Sequence, residues 1–273
     1  DGLASRPGDV EQLQCLFVHE LPRQVDCSGG SAAYRRSIIQ KNPLSVGWGS
    51  GVFDWKEIDT VLLDMDGTLL DLHFDNYFWL QYVPHRYAEA RGMAEADAKR
   101  ELMARYQDIQ GTLDWYCVDH WTRELGLDIA LLKEEVDHLI SVHPDVTEFL
   151  DLLQRAGIRR VLVTNAHQKS LQLKMRRTRL HDRLDHVVCA HDIGLPKEDA
   201  GFWSRLQSEE PFDPARTLFV DDSLAVLRSA QGYGISHLLA IMLPDARQAE
   251  RQVDEFPAVR GFATLLPSLR RCL

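Results

Sequence analysis

Between residues 58 and 241, short apolar runs of strand length alternate with longer segments whose apolar residues recur every three to four positions. The strand candidates are 60–63, 160–163, 186–190, 217–220 and 237–241. Asp145-Val146-Thr147-Glu148 reads as a capping box that opens a helix closed by Gly157, and Ser223 to Tyr233 reads as a second helix stopped by Gly234. Such alternation predicts a parallel sheet with helices on both faces, an α/β three-layer core joined by right-handed crossovers. One interval breaks the rhythm. Residues 73–142 carry helical spacing at 76–90, 95–109, 115–125 and 129–139. This predicts a helical cap domain inserted after the first strand, with 51–72 and 143–273 forming the core. The first fifty residues show little periodicity and hold glycine-rich stretches at 27–31 and 47–51, so they read as a weakly ordered N-terminal extension.

The polar residues that end the strands change the picture from architecture to chemistry. The first strand runs into Asp64-Met65-Asp66-Gly67-Thr68, the second into Thr164-Asn165, and the fourth into Asp221-Asp222-Ser223; Gly194-Leu195-Pro196-Lys197 follows the third. In a parallel sheet all of these collect at one carboxyl edge, where such folds bind ligands. Two carboxylates about 4 Å apart repel by roughly 4 kcal/mol at an effective dielectric near 20, so a cation is expected beside them. Carboxylates, a hydroxyl, backbone N–H groups and one ammonium together suit a divalent hard cation next to a phosphoryl group. Asp64 is the candidate nucleophile, giving an aspartyl-phosphate, and Asp66 the candidate proton donor and acceptor. Asp64, Asp221 and Asp222 are expected to coordinate Mg²⁺, while Gly67, Thr68, Thr164, Asn165 and Lys197 grip the phosphate oxygens.

Net charge is −10 over 273 residues, which disfavours a nucleic-acid polymer as partner and leaves a small anionic substrate open. No apolar run approaches the length of a membrane span, and the early run at 15–18 is too short for a signal-peptide core. Five scattered cysteines without CxxC spacing read as reduced thiols, so a cytoplasmic setting is expected. No feature of the sequence sets an oligomeric state.

These residues resemble the haloacid dehalogenase (HAD) superfamily of aspartate-nucleophile hydrolases: DMDGT at 64–68, Thr164 in LVTN, Lys197, and DDS at 221–223 match its four motifs. FDNYFW at 74–79, QGTLDWYCVDHW at 110–121, VLVTNAH at 161–167, LPKED at 195–199 and RTLFVDDS at 216–223 are similar to the bacterial GMP/IMP nucleotidase branch. The resemblance implies an HAD-like core with a cap after the first strand, and a Mg²⁺-dependent 5′-nucleotidase acting on purine nucleoside monophosphates. It further implies that Asp66 offers the metal only its backbone carbonyl. Members of that branch usually begin near residue 50 of this numbering. Two departures stand out. Pro196 precedes Lys197 rather than following it, and Val226 occupies the place of a second acid that Asp221 could supply.

Within the insertion, Trp115, Tyr116, His120 and Trp121 are candidates to stack on a purine, against the alternative that they form core. His167 is a candidate to orient substrate. His181, His186 and His191 recur every five residues, a spacing that matches no single helix or strand face and argues against zinc. Competing readings are a phosphatase of another small phosphometabolite such as a sugar phosphate, a phosphomutase, a dehalogenase, and a phosphoacceptor signalling module. A dehalogenase has no need of Asp66 or the acidic pair. A signalling module would place its acidic pair first and lack the cap.

Overall fold

The computed structural model describes residues 53–273; the expected N-terminal extension lies outside the described residues. Six strands form one sheet: β1 (Thr60–Leu63), β2 (Arg159–Thr164), β3 (His186–Cys189), β4 (Thr217–Asp221), β5 (His237–Ile241) and β6 (Ala258–Val259). Their order is β3-β2-β1-β4-β5-β6, and every neighbouring pair is parallel. β6 has no counterpart in the sequence reading, because two residues are too few to display a period.

The apolar runs follow from burial on both faces, as parallel sheets require. Val61 and Leu63 share one core layer with Leu162, Leu218, Val220 and Leu239. Leu62 points the other way, into a layer with Val161, Val163, Phe202, Trp203 and Phe219.

Between β1 and β2 lie α1 (His73–Tyr77), α2 (Val83–Arg91), α3 (Glu95–Ile109), α4 (Val118–Leu125) and α5 (Ile129–Glu135), and α6 (Val146–Arg155) then leads into β2. α7 (Gln168–Thr178) follows β2 and α8 (Ala190–Ile193) follows β3. α9 (Phe202–Glu209), α10 (Leu224–Tyr233) and α11 (Leu266–Arg270) complete the described chain. α1 and α2 are joined by a π-helical turn, Phe78–Tyr82. Pro84, in the first turn of α2, has no N–H to donate, and the wider turn before it accommodates the break in the hydrogen-bond ladder. The two ends of the insert are tied together: Asp71 N–H donates to Ser141 O at 3.0 Å and His143 N–H to Leu69 O at 2.9 Å.

Ser223 caps α10 through a 3.4 Å bond from Val226 N–H, and Gly234 ends it at φ +109°, as its sequence suggests. The capping box at Asp145 does not form. Asp145 adopts φ +67° and its side chain makes no cap bond, while Glu148 turns outward to pair with Arg270. The chain reaches α6 directly from the joint at His143, and that sharp entry places Asp145 in the left-handed region, which Asp tolerates better than most residues.

Candidate active site

The sheet order reverses at β1: the chain builds outward through β2 and β3, then returns to the other side of β1 for β4. Open α/β sheets bind ligands at such a switch point. Leu63 pairs with Val220, so the next residues, Asp64 and Asp221, stand side by side at the carboxyl edge, and Asp64 N–H donates to Val220 O at 3.0 Å. Beyond Asp64 the chain turns tightly, with Leu70 N–H donating to Met65 O at 2.8 Å and Gly67 N–H to Leu70 O at 2.7 Å. Gly67 sits at φ +86°, and a Cβ there would lie 2.8 Å from Asp222 Cγ and 3.0 Å from Pro244 Cβ. Glycine is needed here both for its backbone and for its missing side chain. Because the Gly67 N–H is already engaged within the turn, it is not available to a phosphate in this conformation. Thr68 is wholly buried and its Oγ1 has no partner among the described residues.

Asp64, Asp221 and Asp222 are buried, and each offers an oxygen within 4.8 Å of the others. Lys197 Nζ, itself 1% exposed, donates to Asp64 Oδ1 at 2.5 Å and Asp221 Oδ2 at 2.7 Å. The other oxygen of Asp221 accepts Ser223 N–H at 2.7 Å, and Arg251 approaches Asp222 at 3.5 Å. Burial pushes the Asp64 carboxyl up to about 6 against the pull of Lys197, with Asp221 adding to the rise. Burial likewise raises Asp221, and it raises Asp222 far above the usual carboxylate range. For Lys197 burial disfavours the ammonium, yet Asp221 and Asp64 outweigh it and hold the pKa above the ordinary lysine range. Three crowded hard oxygen donors resist ionisation despite the two nearby cations, so a further cation beside them is favoured, and with no Cβ at Gly67 the Asp222 carboxylate stays unobstructed. This donor set fits Mg²⁺.

Asp66 lies outside that grouping. Its carboxylate turns to Lys174, whose Nζ donates to Asp66 Oδ1 at 2.7 Å and to Asp75 Oδ2 at 2.6 Å. Asp75 also accepts from Lys133 Nζ at 2.9 Å, and Lys133 in turn packs over the rings of Phe74, Phe78 and Trp79. Burial raises Asp66 to about 6, opposed by Lys174 and helped by the charges of Asp75 and Asp64. Burial would raise Asp75 too, but Lys133 and Lys174 together hold it down to about 2. The neighbourhood of Asp66 is therefore an alternating chain of two acids and two lysines. Sequence reasoning passed over Asp75, Lys133 and Lys174. The signal lay in the lysines' positions: Lys174 interrupts the run Leu171–Met175 on α7, and Lys133 stands four residues after buried Ile129 on α5.

Thr164 and Asn165 reach the same edge from β2. Thr164 Oγ1 accepts Ala166 N–H at 3.0 Å, and Asn165 Oδ1 accepts Lys197 N–H at 2.9 Å. Asn165 Nδ2 donates to Glu198, which also accepts Tyr116 OH at 2.7 Å from the insert. Thr164, Asn165 and Lys197 line, with the three clustered aspartates, a solvent-open cleft, and Asp75, Trp79, Trp115, Tyr116, Val118 and Lys133 form its insert-side wall. Of the four expected stacking residues, Trp115 and Tyr116 line the cleft. Trp121 instead packs against Tyr106 with centroids 4.9 Å apart and donates to Trp115 O, and His120 sets its ring against Trp121. His167 lines the cleft, while His181 and His186 sit elsewhere beside Asp182 and Glu210.

Among proteins of known name, GMP/IMP nucleotidase YrfG of Escherichia coli is 41% identical over 215 residues, covering 79% of this chain and 97% of the relative. Pyrophosphatase PpaX of Bacillus velezensis is 24% identical over 175 residues, 62% of this chain and 76% of the relative. Among solved structures, an HAD phosphatase from Thermococcus onnurineus superimposes with a TM-score of 0.66 at 22% identity, over 78% of this chain and 98% of that one. CbbY from Rhodobacter sphaeroides, in complex with phosphate, gives 0.54 at 19% identity, over 78% and 99%. These likenesses show a shared fold. No helix among the described residues is long and apolar enough to cross a membrane. With the haloacid dehalogenase-like hydrolase pattern matched over residues 58–234, the chain belongs to that family of hydrolases.

Proposed function

We propose that this chain is a Mg²⁺-dependent phosphomonoesterase that hydrolyses purine nucleoside 5′-monophosphates through an aspartyl-phosphate at Asp64. The observation that carries the reading is the convergence of Asp64, Asp221 and Asp222 within 4.8 Å beside Lys197. The purine preference rests on the 41% identity to a GMP/IMP nucleotidase and on the aromatic wall formed by Trp79, Trp115 and Tyr116.

Mg²⁺ held by Asp64, Asp221 and Asp222, with the Asp66 backbone carbonyl, would offset the repulsion between an anionic nucleophile and an anionic phosphate. In the first half-reaction an Asp64 oxygen bonds to phosphorus and the bond to the ester oxygen breaks. Asp66 gives that leaving oxygen its proton. In the second, the Asp66 carboxylate takes a proton from water as the water oxygen attacks phosphorus, releasing phosphate and restoring Asp64. A carboxyl raised to about 6 can serve in both directions near neutral pH. Lys197 fixes the Asp64 carboxylate and neutralises part of its charge, and Thr164 and Asn165 face the transferred group. We further propose that the insert acts as a cap domain whose residues select the nucleoside.

Phosphate release from IMP, GMP, a panel of sugar phosphates and an aryl phosphate, each with Mg²⁺, tests the reading. Preference for the purine nucleotides supports it. Faster turnover of sugar phosphates would reassign the substrate, and no release from any would remove the phosphatase reading. Asp64→Asn is expected to abolish turnover, and appreciable residual activity would remove Asp64 as nucleophile.

A further inference from the structure

A second grouping of metal-ligating side chains lies where the insert meets the sheet. Cys117, His167 and His191 each present a ligand atom within 4.8 Å of the others. They come from three separate elements. Cys117 precedes α4 in the insert, where its Sγ accepts His120 N–H at 3.3 Å; His167 follows β2; His191 lies in α8 after β3. The two imidazole rings are 4.9 Å apart at 86°, an edge-on arrangement rather than a stack.

His191 gives the independent sign of a missing partner. Its Nε2 is buried and has no hydrogen-bond partner among the described residues, while the ring is hydrogen-bonded to the Asn165 backbone. Metal-binding histidines are characteristically held this way, one nitrogen on a backbone carbonyl and the other on the ion. His167 Nδ1 accepts Lys169 N–H at 3.3 Å, and its Nε2 lies 3.8 Å from Asp119, which is itself paired with Lys169. One thiolate and two imidazoles are donors typical of zinc sites, in contrast to the all-oxygen grouping at Asp64.

We propose that Cys117, His167 and His191 form a binding site for Zn²⁺, separate from the acidic site, that pins the helical insert to the sheet edge. The spacing of histidines along the chain concealed it, because its ligands lie 50 and 24 residues apart and only one belongs to the five-residue series. Since His167 also lines the cleft, Zn²⁺ held here restrains the wall through which substrate enters, and turnover slows. That last consequence, unlike the binding, rests on the phosphatase reading.

The test is equilibrium dialysis of the full chain against Zn²⁺ with Mg²⁺ in large excess, paired with Co²⁺ absorption. Wild type is expected to retain a single equivalent of Zn²⁺ and to show a thiolate-to-Co²⁺ charge-transfer band with tetrahedral intensity in the visible. Cys117→Ser, which preserves a helix cap, should lose the band, and His191→Gln should weaken Zn²⁺ by roughly tenfold or more. Absence of the band in wild type, or unchanged Zn²⁺ affinity in both variants, overturns the site. If binding behaves as expected while aryl phosphate turnover is insensitive to Zn²⁺, the pinning consequence is overturned and the site stands.

Discussion

Replacing Lys174 by Met removes the cation shared by Asp66 and Asp75 while keeping most of the side-chain volume. The two losses are unequal. Asp75 retains Lys133 at 2.9 Å, whereas Asp66 loses the ammonium 2.7 Å away from its carboxylate. At an effective dielectric near 20 a contact of that length has a gross attraction of about 6 kcal/mol, part of which is offset because the buried ammonium no longer has to be desolvated. Breaking one partner out of a buried pair leaves a net loss of about 3–5 kcal/mol, and that is the expected fall in unfolding free energy at pH 7. The deficit should shrink at pH 5. Without Lys174 the Asp66 carboxyl rises beyond about 6, so it takes up a proton there and no longer needs a counter-charge. Urea unfolding of wild type and variant at both pH values, without metal, measures this directly. A deficit under about 1 kcal/mol at pH 7, or one that is the same at pH 5, would refute the account. In turnover the variant keeps a proton donor but loses a ready base, so the second half-reaction slows and a burst of released nucleoside should precede a lower steady rate.

Gly67→Ala combines a left-handed backbone with a 2.8 Å clash against Asp222, so a loss of about 2–4 kcal/mol is expected, with weaker Mg²⁺ activation; a wild-type urea midpoint and Mg²⁺ dependence would contradict it. Metal-free protein should gain stability as pH falls from 7 towards 5, because Asp64 and Asp66 are raised to about 6, so the cost of their ionisation builds up between 3.8 and 6 and is fully present at pH 7. Over the whole window each costs about 3 kcal/mol, of which about 1.4 kcal/mol is regained by pH 5, and together less than twice that since they interact. Excess Mg²⁺ should close the gap at pH 7, and a urea midpoint that falls from pH 7 to 5 without metal would count against this. The lowered Asp75 acts in the opposite sense, its stabilisation being present above 3.8 and lost as pH falls through about 2. Tyr116→Phe removes the insert's 2.7 Å hydrogen bond to Glu198, so KM for a nucleotide should rise severalfold with a loss of about 1.5–3 kcal/mol in stability; unchanged KM would separate that bond from substrate binding.

How far the sequence could be read depended on whether a residue's partners follow from local pattern. β1 and β5 appear with the expected bounds, because apolar runs buried on both faces are bounded by polar turns. Asp64, Thr164, Lys197 and Asp221 meet because each ends or follows a strand, and parallel strands deliver their ends to one edge. The Asp66–Lys174–Asp75–Lys133 chain follows no such rule. It joins two helices of the insert to one of the core, and only tertiary packing turns four scattered charges into one network. The same holds for Asp145, whose capping signature yields to the direction from which the chain arrives, and for Trp121, whose spacing cannot distinguish a cleft wall from the packed interior behind it.

Lys197 bears on the order in which this site is assembled. In small zinc domains the ion is the organiser, and without it the chain does not fold. Here a lysine anchored by Asn165 and touching both Asp64 and Asp221 supplies an internal counter-ion from the polypeptide itself. The acidic edge can therefore condense with the rest of the sheet, already shaped, before any divalent ion arrives. On the proposed reading, loss of that ion would leave an idle enzyme rather than an unfolded one, ready to resume work when the ion returns.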